Sequence, residues 1–109
     1  MSPKPEGVLE RLFATIEARA GGDPAASHTA GLLAKGPAKC AEKFGEEAVE
    51  TIIAAVQGDR AALTAEAADA LYHLQVALFA AGVAWGDVLA ELERREGRSG
   101  VAEKAARPK

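Results

Sequence analysis

The sequence contains a single cysteine, Cys40, and only five aromatic residues among its 109 positions. One cysteine cannot form an intramolecular disulfide, and no cluster of cysteine and histidine accompanies it to indicate a structural zinc site. The sequence also lacks an apolar run long enough to cross a bilayer and a signal peptide at its Pro- and Lys-containing start. We therefore expect a cytoplasmic protein with no membrane partner, in which Cys40 is a small packed residue.

The alternation of apolar and polar residues that predicts a half-buried strand is absent too, and no internal repeat is visible. Alanine, the residue with the highest helix propensity, occupies 26 positions instead. Apolar residues recur at helical spacing, and glycine and proline separate the segments at 21–24, 36–37, 58–59 and 82. Because short connections make neighbouring helices antiparallel, the sequence predicts an all-α antiparallel bundle of four to five helices.

The predicted domain covers residues 8–97, between a flexible N-terminus at 1–7 and a basic C-terminal tail at 98–109. Residues 27–35 are expected to form either a short helix or an ordered loop. The remaining helices are predicted from Val8 to the glycines at 21–22, from Pro37 to about Gln57, from Arg60 to about Ala81, and from Trp85 to near Gly97.

The net charge of −3 is distributed unevenly. From Glu42 to Asp69 there are seven acidic and two basic residues, whereas residues 94–109 contain six basic and two acidic ones. Acidic central helices make a poor surface for nucleic acid, and an acidic centre near a basic end suits a metal ion beside an anionic ligand. We therefore expect no nucleic-acid partner.

Acidic side chains form two pairs on the two longest predicted helices. Residues three or four apart share a helix face, so Glu47 points the same way as Glu50, and Glu66 the same way as Asp69. In an antiparallel hairpin about the turn at 58–59, the two pairs lie at about the same height. Four carboxylates repel one another at close range unless a cation binds between them, and oxygen-only ligands suit Mg²⁺.

The same acids are compatible with the solvated faces of two surface helices. The apolar neighbours of Glu66 and Asp69 within residues 63–71 favour a metal site, as does the apolar run that follows Glu46 and Glu47. Spacing alone leaves both interpretations open. The corresponding alternative function is a non-catalytic helical dimerisation module whose acids only make it soluble.

Longer motifs resemble a known family. Glu46-Glu47-Ala48-Val49-Glu50, followed by Glu66-Ala67-Ala68-Asp69, resembles the EExxE…ExxD signature of the MazG-type all-α nucleoside triphosphate pyrophosphohydrolases. The phosphoribosyl-ATP pyrophosphatase family is the closer resemblance, and it extends over about residues 8–107. It is carried by Gly36-Pro37-Ala38-Lys39, Lys43-Phe44-Gly45, Asp69-Ala70-Leu71-Tyr72-His73-Leu74, the segment 87–92, Arg94-Arg95 and Ser99-Gly100. His28 and Gly31 depart from the family pattern, outside the acidic motifs.

This resemblance implies Mg²⁺-dependent hydrolysis of 1-(5-phosphoribosyl)-ATP to 1-(5-phosphoribosyl)-AMP and pyrophosphate, the second step of histidine biosynthesis. It also implies an intertwined homodimer with active sites near the interface. The expected metal ligands are Glu47, Glu50, Glu66 and Asp69. Glu46 and Glu47 are the expected catalytic residues, Glu46 as a water-orienting base or an outer ligand. A MazG-like enzyme that acts on other (d)NTPs is the alternative.

Four basic residues and one serine are expected to bind the substrate phosphates: Lys39, Lys43, Arg95, Lys104 and Ser99. Lys35, Lys39 and Lys43 recur every four residues up to Glu47, although the same spacing is typical of surface Lys–Glu pairs. The C-terminal residues either close over the substrate or belong to a solvated basic tail. His73, one turn after Asp69, is either a hydrogen-bond partner of that ligand or a packed or partner-facing residue.

Overall fold

The computed structural model describes residues 7–98 and 100–107, and no strand occurs in that part of the chain. The all-α prediction is confirmed, and the described residues form six helices where four to five were predicted. The 27–35 segment forms the short helix rather than the ordered loop, and the one element beyond the prediction is a helix in the alanine-containing tail. The helices are α1 Val8–Arg19, α2 His28–Ala34, α3 Pro37–Gln57, α4 Arg60–Ala80, α5 Trp85–Arg94 and α6 Gly100–Ala106.

The longest elements, α3 and α4, have 21 residues each and form a helical hairpin. Pro37 stands at the start of α3, where a missing N–H costs no helical hydrogen bond. Gly58 ends α3 with a left-handed conformation, φ 73°, which glycine adopts without a steric penalty. Asp59 then caps α4, because its side chain accepts a hydrogen bond from the backbone N–H of Ala62. Two residues therefore reverse the chain and place α3 beside α4.

Replacing Asp59 by alanine is expected to lower the free energy of unfolding by about 1 kcal/mol, the usual effect of losing an N-cap. The cap bond from Ala62 N to Asp59 Oδ1 is 3.0 Å long and exposed, so the change leaves no cavity. Urea denaturation would measure the loss. Asp59→Asn keeps an acceptor at this position and serves as the control; an equal loss in both variants would contradict the capping role.

Helix α4 is the centre of the fold, because α1, α2, α3 and α5 all pack against it. The buried cluster takes one residue from each of four helices: Ile16, Leu32, Cys40 and Val76. Cys40 donates its thiol hydrogen to the Leu32 carbonyl at 3.2 Å, and its burial raises the pKa of the thiol. The expectation that Cys40 is a packed residue is confirmed.

The buried side chain of Gln75 connects α4 to the first helix. Its amide nitrogen donates to the Leu9 carbonyl at 2.9 Å, and the residue is 0% exposed. Its Oε1 atom has no hydrogen-bond partner among the described residues. Phe13 and Phe79 meet edge to face nearby along the same pair of helices, with ring centroids 6.1 Å apart. Polar and aromatic contacts together fix α1 on α4.

One face of α3 is apolar and exposed. Val49, Ile52, Ile53 and Val56 lie at helical spacing and form what we call the α3 stripe, with exposed fractions from 49% at Ile53 to 82% at Val56. Val49 lies two positions before Thr51, which contacts α4, and two positions turn a helix by about 200°. The stripe therefore points away from α4. A contiguous exposed apolar surface of this kind is typical of an interaction site.

No single helix of the described chain has both the length and the hydropathy of a membrane span. Only α4 and α5 taken together pass that test, and the pair is bent by 108°.

The C-terminal helix α6 falls inside the segment predicted as a basic tail. Its seven residues carry Lys104 in the last turn, and Val101 is exposed. Alanine at 105 and 106 favours the helical conformation there. Residues 1–6, Ser99 and residues 108–109 lie outside the described part of the chain, so most of the predicted flexible N-terminus does as well.

Candidate metal centre

Three carboxylates of the hairpin converge across the contact between α3 and α4. Glu47 on α3 and Glu66 and Asp69 on α4 each offer one oxygen, and these three oxygens lie within 4.8 Å of one another. We call them the carboxylate group. The reversal at Gly58 and Asp59 brings residues from the two helices to the same height, as the spacing of the acids predicts.

The carboxylate group is partly withdrawn from water. The Glu47 side chain is only 12% exposed, and the Oε2 atom of Glu66 is buried with no hydrogen-bond partner in the described structure. A buried carboxylate oxygen without a donor is unfavourable, so buried polar atoms of this kind are normally paired. A cation bound at the carboxylate group would supply the missing partner of Glu66 Oε2. Three carboxylates and no nitrogen or sulfur ligand suit a hard ion such as Mg²⁺.

The structure does not bring Glu50 into this group. Glu50 lies three positions after Glu47, and three positions leave a helical side chain about 60° off the first direction. Glu50 is exposed, and its carboxylate is not among the oxygens that converge. Its assignment as a fourth metal ligand therefore stays a prediction.

Lysines from α3 lie next to the carboxylate group. Lys43 Nζ is 3.4 Å from Glu46 Oε2 and 3.6 Å from Glu47 Oε1, so it contacts a member of the group directly. The hydrogen bond to Glu46, with a smaller contribution from Glu47, raises the pKa of Lys43 above its ordinary value. Lys39 Nζ pairs with Glu42 Oε2 at 3.2 Å.

These lysines line a small open cavity of about 110 Å³, which we call the lysine groove. Its lining residues are Leu32, Lys35, Lys39, Glu42, Lys43 and Glu46. Part of the positive charge is neutralised by Glu42 and Glu46, but Lys35 adds a third ammonium group. The groove places positive charge beside the negative carboxylate group, which is the arrangement that a metal-bound phosphate chain requires.

Arg95 and Lys104, the two predicted C-terminal phosphate ligands that the structure describes, do not line the lysine groove. Arg95, the C-cap of α5, donates from its Nε to Glu91 Oε2 at 2.9 Å, and Arg94 also binds Glu91. Hydrogen bonds from Arg94 and then Arg95 lower the pKa of Glu91 to about 2. Lys104 is exposed on α6, and Ser99 lies outside the described residues. Their role in substrate binding stays a prediction.

Three aromatic rings, whose contact was not predicted from the sequence, form a cluster between α2 and α4. The Tyr72 and His73 rings are 4.9 Å apart, and the His28 ring from α2 lies 6.2 Å from Tyr72 and 6.1 Å from His73. Thr29 Oγ1 and the Tyr72 hydroxyl are hydrogen-bonded at 2.5 Å. His73 is 6% exposed, and its Nδ1 has no partner among the described residues. His73 is therefore packed in the described structure, which agrees with the second of its predicted roles, a packed or partner-facing residue.

The imidazole of His73 is expected to bind a proton only below its ordinary pKa of 6.5, because burial lowers that pKa and the charges of Glu47 and Asp69 oppose only part of the effect. The unfolded chain binds this proton near pH 6.5, so the His73 contribution to stability is constant above that pH and is lost as pH falls below it. Nitrogen-15 NMR of the imidazole would measure the midpoint. A midpoint at or above 6.5 would contradict burial as the dominant cause.

Fold and site together define an all-α protein in which a helical hairpin presents a carboxylate group beside a lysine groove. The sequence profile of the family described as phosphoribosyl-ATP pyrophosphohydrolase matches residues 9–96. The chain therefore belongs to the phosphoribosyl-ATP pyrophosphohydrolase family, and the resemblance inferred from its motifs is confirmed.

Curated relatives agree with this assignment over nearly their whole length. The phosphoribosyl-ATP pyrophosphatase of Dinoroseobacter shibae is 72% identical over 100 residues, which are 92% of this chain and 98% of the relative. The protein of that name from Cereibacter sphaeroides is 70% identical over 92% of this chain and 97% of its own. The one from Paracoccus denitrificans is 67% identical over 96% of each chain. Matches over more than nine-tenths of the chain include the stretch that carries both acidic motifs.

Proposed function

We propose that this protein hydrolyses 1-(5-phosphoribosyl)-ATP to 1-(5-phosphoribosyl)-AMP and pyrophosphate, the second step of histidine biosynthesis, with Mg²⁺ as cofactor. Family membership supports the substrate, because the relatives carry the name of this pyrophosphatase. The observation that carries the metal-dependent mechanism is the buried, unpaired Oε2 of Glu66 inside the carboxylate group. The expected location, the cytoplasm, stays a prediction.

Glu47, Glu66 and Asp69 would hold the metal, since they already meet in the structure, and Glu50 is the predicted fourth ligand. When bound, Mg²⁺ neutralises phosphate charge and lowers the pKa of a bound water. The chain supplies the positioning: acids from two rigid helices would hold the ion in place, and burial of Glu47 and Glu66 would strengthen their electrostatic attraction to it.

Lys43 and Lys39 are proposed to bind the phosphate oxygens that extend from the carboxylate group into the lysine groove. Lys43 contacts the carboxylates of Glu46 and Glu47. A bound phosphate would replace these carboxylates as the partner of the Lys43 ammonium group. Glu46, released from Lys43, would then orient the attacking water or accept its proton. Arg95, Ser99 and Lys104 are proposed to complete the phosphate site. Positioning and charge neutralisation supply most of the catalysis in phosphoryl chemistry.

We propose that a second copy of the chain covers the α3 stripe. The stripe is apolar and faces away from α4, and it lies on the same helix as Glu47 and Glu50. A small domain that leaves such a surface exposed gains stability by association, and two-fold dimers are the commonest solution. Pairing through this stripe would also place Glu50 at the edge of the interface, close to the active site.

Pyrophosphate release from phosphoribosyl-ATP, measured with Mg²⁺ and with EDTA, tests the proposal. The expected result is release that depends on Mg²⁺ and is much slower on dNTPs under the same conditions. Faster release from dNTPs would replace the substrate assignment by a MazG-like enzyme of other specificity. A folded protein that hydrolyses neither would favour the non-catalytic dimerisation module.

A further inference from the structure

Three threonines in the described helices donate a side-chain hydrogen bond to the carbonyl four residues earlier. Thr15 bonds to Arg11 at 3.0 Å, Thr64 to Arg60 at 2.9 Å and Thr51 to Glu47 at 2.8 Å. This bond within one helix is common for threonine and by itself has little structural effect. Of these three, only Thr51 also reaches a second helix, because its hydroxyl lies 3.0 Å from the Glu66 carbonyl on α4.

The two carbonyls that Thr51 contacts belong to members of the carboxylate group. Glu47 stands one turn before Thr51 on α3, and Glu66 is the first acid of the pair on α4. A hydroxyl has one hydrogen, so it is shared between the two carbonyls or alternates between them. In either case a single side chain links the backbone of both acids. The contact is partly buried, so water competes for it less than at Thr15 or Thr64.

We infer that Thr51 is a positioning residue for the metal centre: its hydroxyl fixes the register of α3 against α4 so that the oxygens of Glu47, Glu66 and Asp69 remain within one coordination sphere. This inference deepens the proposed function and rests on it. A slide of one helix along the other would separate Glu47 from the two acids of α4. Mg²⁺ tolerates little deviation from octahedral geometry, with oxygens at about 2.0–2.1 Å, so a small slide is enough to weaken binding.

Thr51→Val tests the role of the hydroxyl alone, because valine keeps the branched shape and removes only the donor. The carbonyls of Glu47 and Glu66 each keep the N–H of their own helix, so no buried group loses its last partner. Thr51→Ser restores the donor. Thr64→Val is the matched control, since it removes a hydroxyl from the same hairpin whose bond stays within one helix.

Mn²⁺, which prefers the same oxygen ligands, reports affinity without substrate through the electron paramagnetic resonance signal of the free ion. Thr51→Val is expected to weaken Mn²⁺ binding about tenfold, the lower end of the usual effect of losing a group that orients a ligand. The Mg²⁺ concentration for half-maximal pyrophosphate release should rise by the same factor, with kcat at saturating Mg²⁺ much less affected. Thr51→Ser and Thr64→Val should match the wild type.

Unfolding temperatures in EDTA separate positioning from general stability. A Thr51→Val protein that melts earlier but binds Mn²⁺ as the wild type does would overturn the inference and leave the proposed function intact, and so would an equal loss of affinity in Thr64→Val. A folded wild type that binds no Mn²⁺ would overturn the metal-dependent function and the inference with it. Should Thr51→Val not fold, Thr51→Ala carries the same prediction.

Discussion

Glu66→Gln is expected to reduce kcat/KM for pyrophosphate release about a thousandfold, because loss of a metal ligand removes several kcal/mol of charge stabilisation and each 1.4 kcal/mol is about a factor of ten. Glutamine has nearly the same shape as glutamate, so the helix contact is preserved. The variant also removes one of three mutually repelling charges from the carboxylate group. Its unfolding temperature in EDTA should therefore equal or exceed that of the wild type.

Two measurements check this prediction: the rate of pyrophosphate release, and the shift in unfolding temperature on adding Mg²⁺. The wild type should be stabilised by the ion, since a ligand that binds only the folded state raises stability, and Glu66→Gln should not respond. Glu93→Gln, an exposed position on α5, is the matched control and should behave as the wild type. A Glu66→Gln protein with normal turnover would rule out the carboxylate group as the metal centre.

Ile52→Glu is expected to dissociate the proposed homodimer and to reduce turnover with it. Ile52 is 60% exposed within the α3 stripe, and an isologous interface would carry the new charge twice. Burying an unpaired carboxylate is strongly unfavourable, so we expect the dimer to dissociate rather than to accommodate the charge in its interface. Light scattering should give a mass near the 11.2 kDa of one chain in place of twice that value.

Val8→Glu is the control for the dimer prediction. Val8 is also exposed, at 68%, but it begins α1 and lies outside the α3 stripe. This variant should keep the mass and the activity of the wild type. If Ile52→Glu retains the dimer mass, the interface lies elsewhere on the surface; if the wild type itself has the mass of one chain, the homodimer proposal is wrong.

The hairpin could be predicted from the sequence because its signals are local. Pro37 begins α3, Gly58 ends it and Asp59 caps α4, and each acts through the conformation of its own backbone or side chain. The conformation of the segment at 27–35 is less predictable from the sequence. Ser27 caps α2 by accepting from the N–H of Ala30, but a seven-residue helix carries too few turns for hydrophobic periodicity to separate it from an ordered loop.

The candidate site could be predicted only as far as helix geometry determines it. Spacing along each helix identified the two acid pairs, and the turn length placed them at the same height. The rotation of α3 against α4 depends on packing, however, and it brings Glu47 into the carboxylate group while Glu50 stays outside. The bond from Thr51 to the Glu66 carbonyl depends on the same rotation. Contacts between side chains of different helices leave no local signal in the sequence.

The ring cluster was missed for a related reason. Tyr72 and His73 lie next to each other on α4, but His28 joins them only because α2 folds back against α4. The Thr29–Tyr72 hydrogen bond joins the same two helices and links residues 43 positions apart, so it too depends on the tertiary fold. The departure of His28 from the family pattern was a signal that could have directed attention to this place.

All members of the carboxylate group lie in one continuous stretch of chain, residues 47–69, which spans the turn at Gly58 and Asp59. Contacts that are close in sequence form early in folding, because little loop entropy is lost when they close. We therefore expect the site to assemble as the hairpin forms, before α1 packs against α4. A cation that binds the hairpin would act on this early step, so Mg²⁺ is expected to accelerate refolding as well as to slow unfolding.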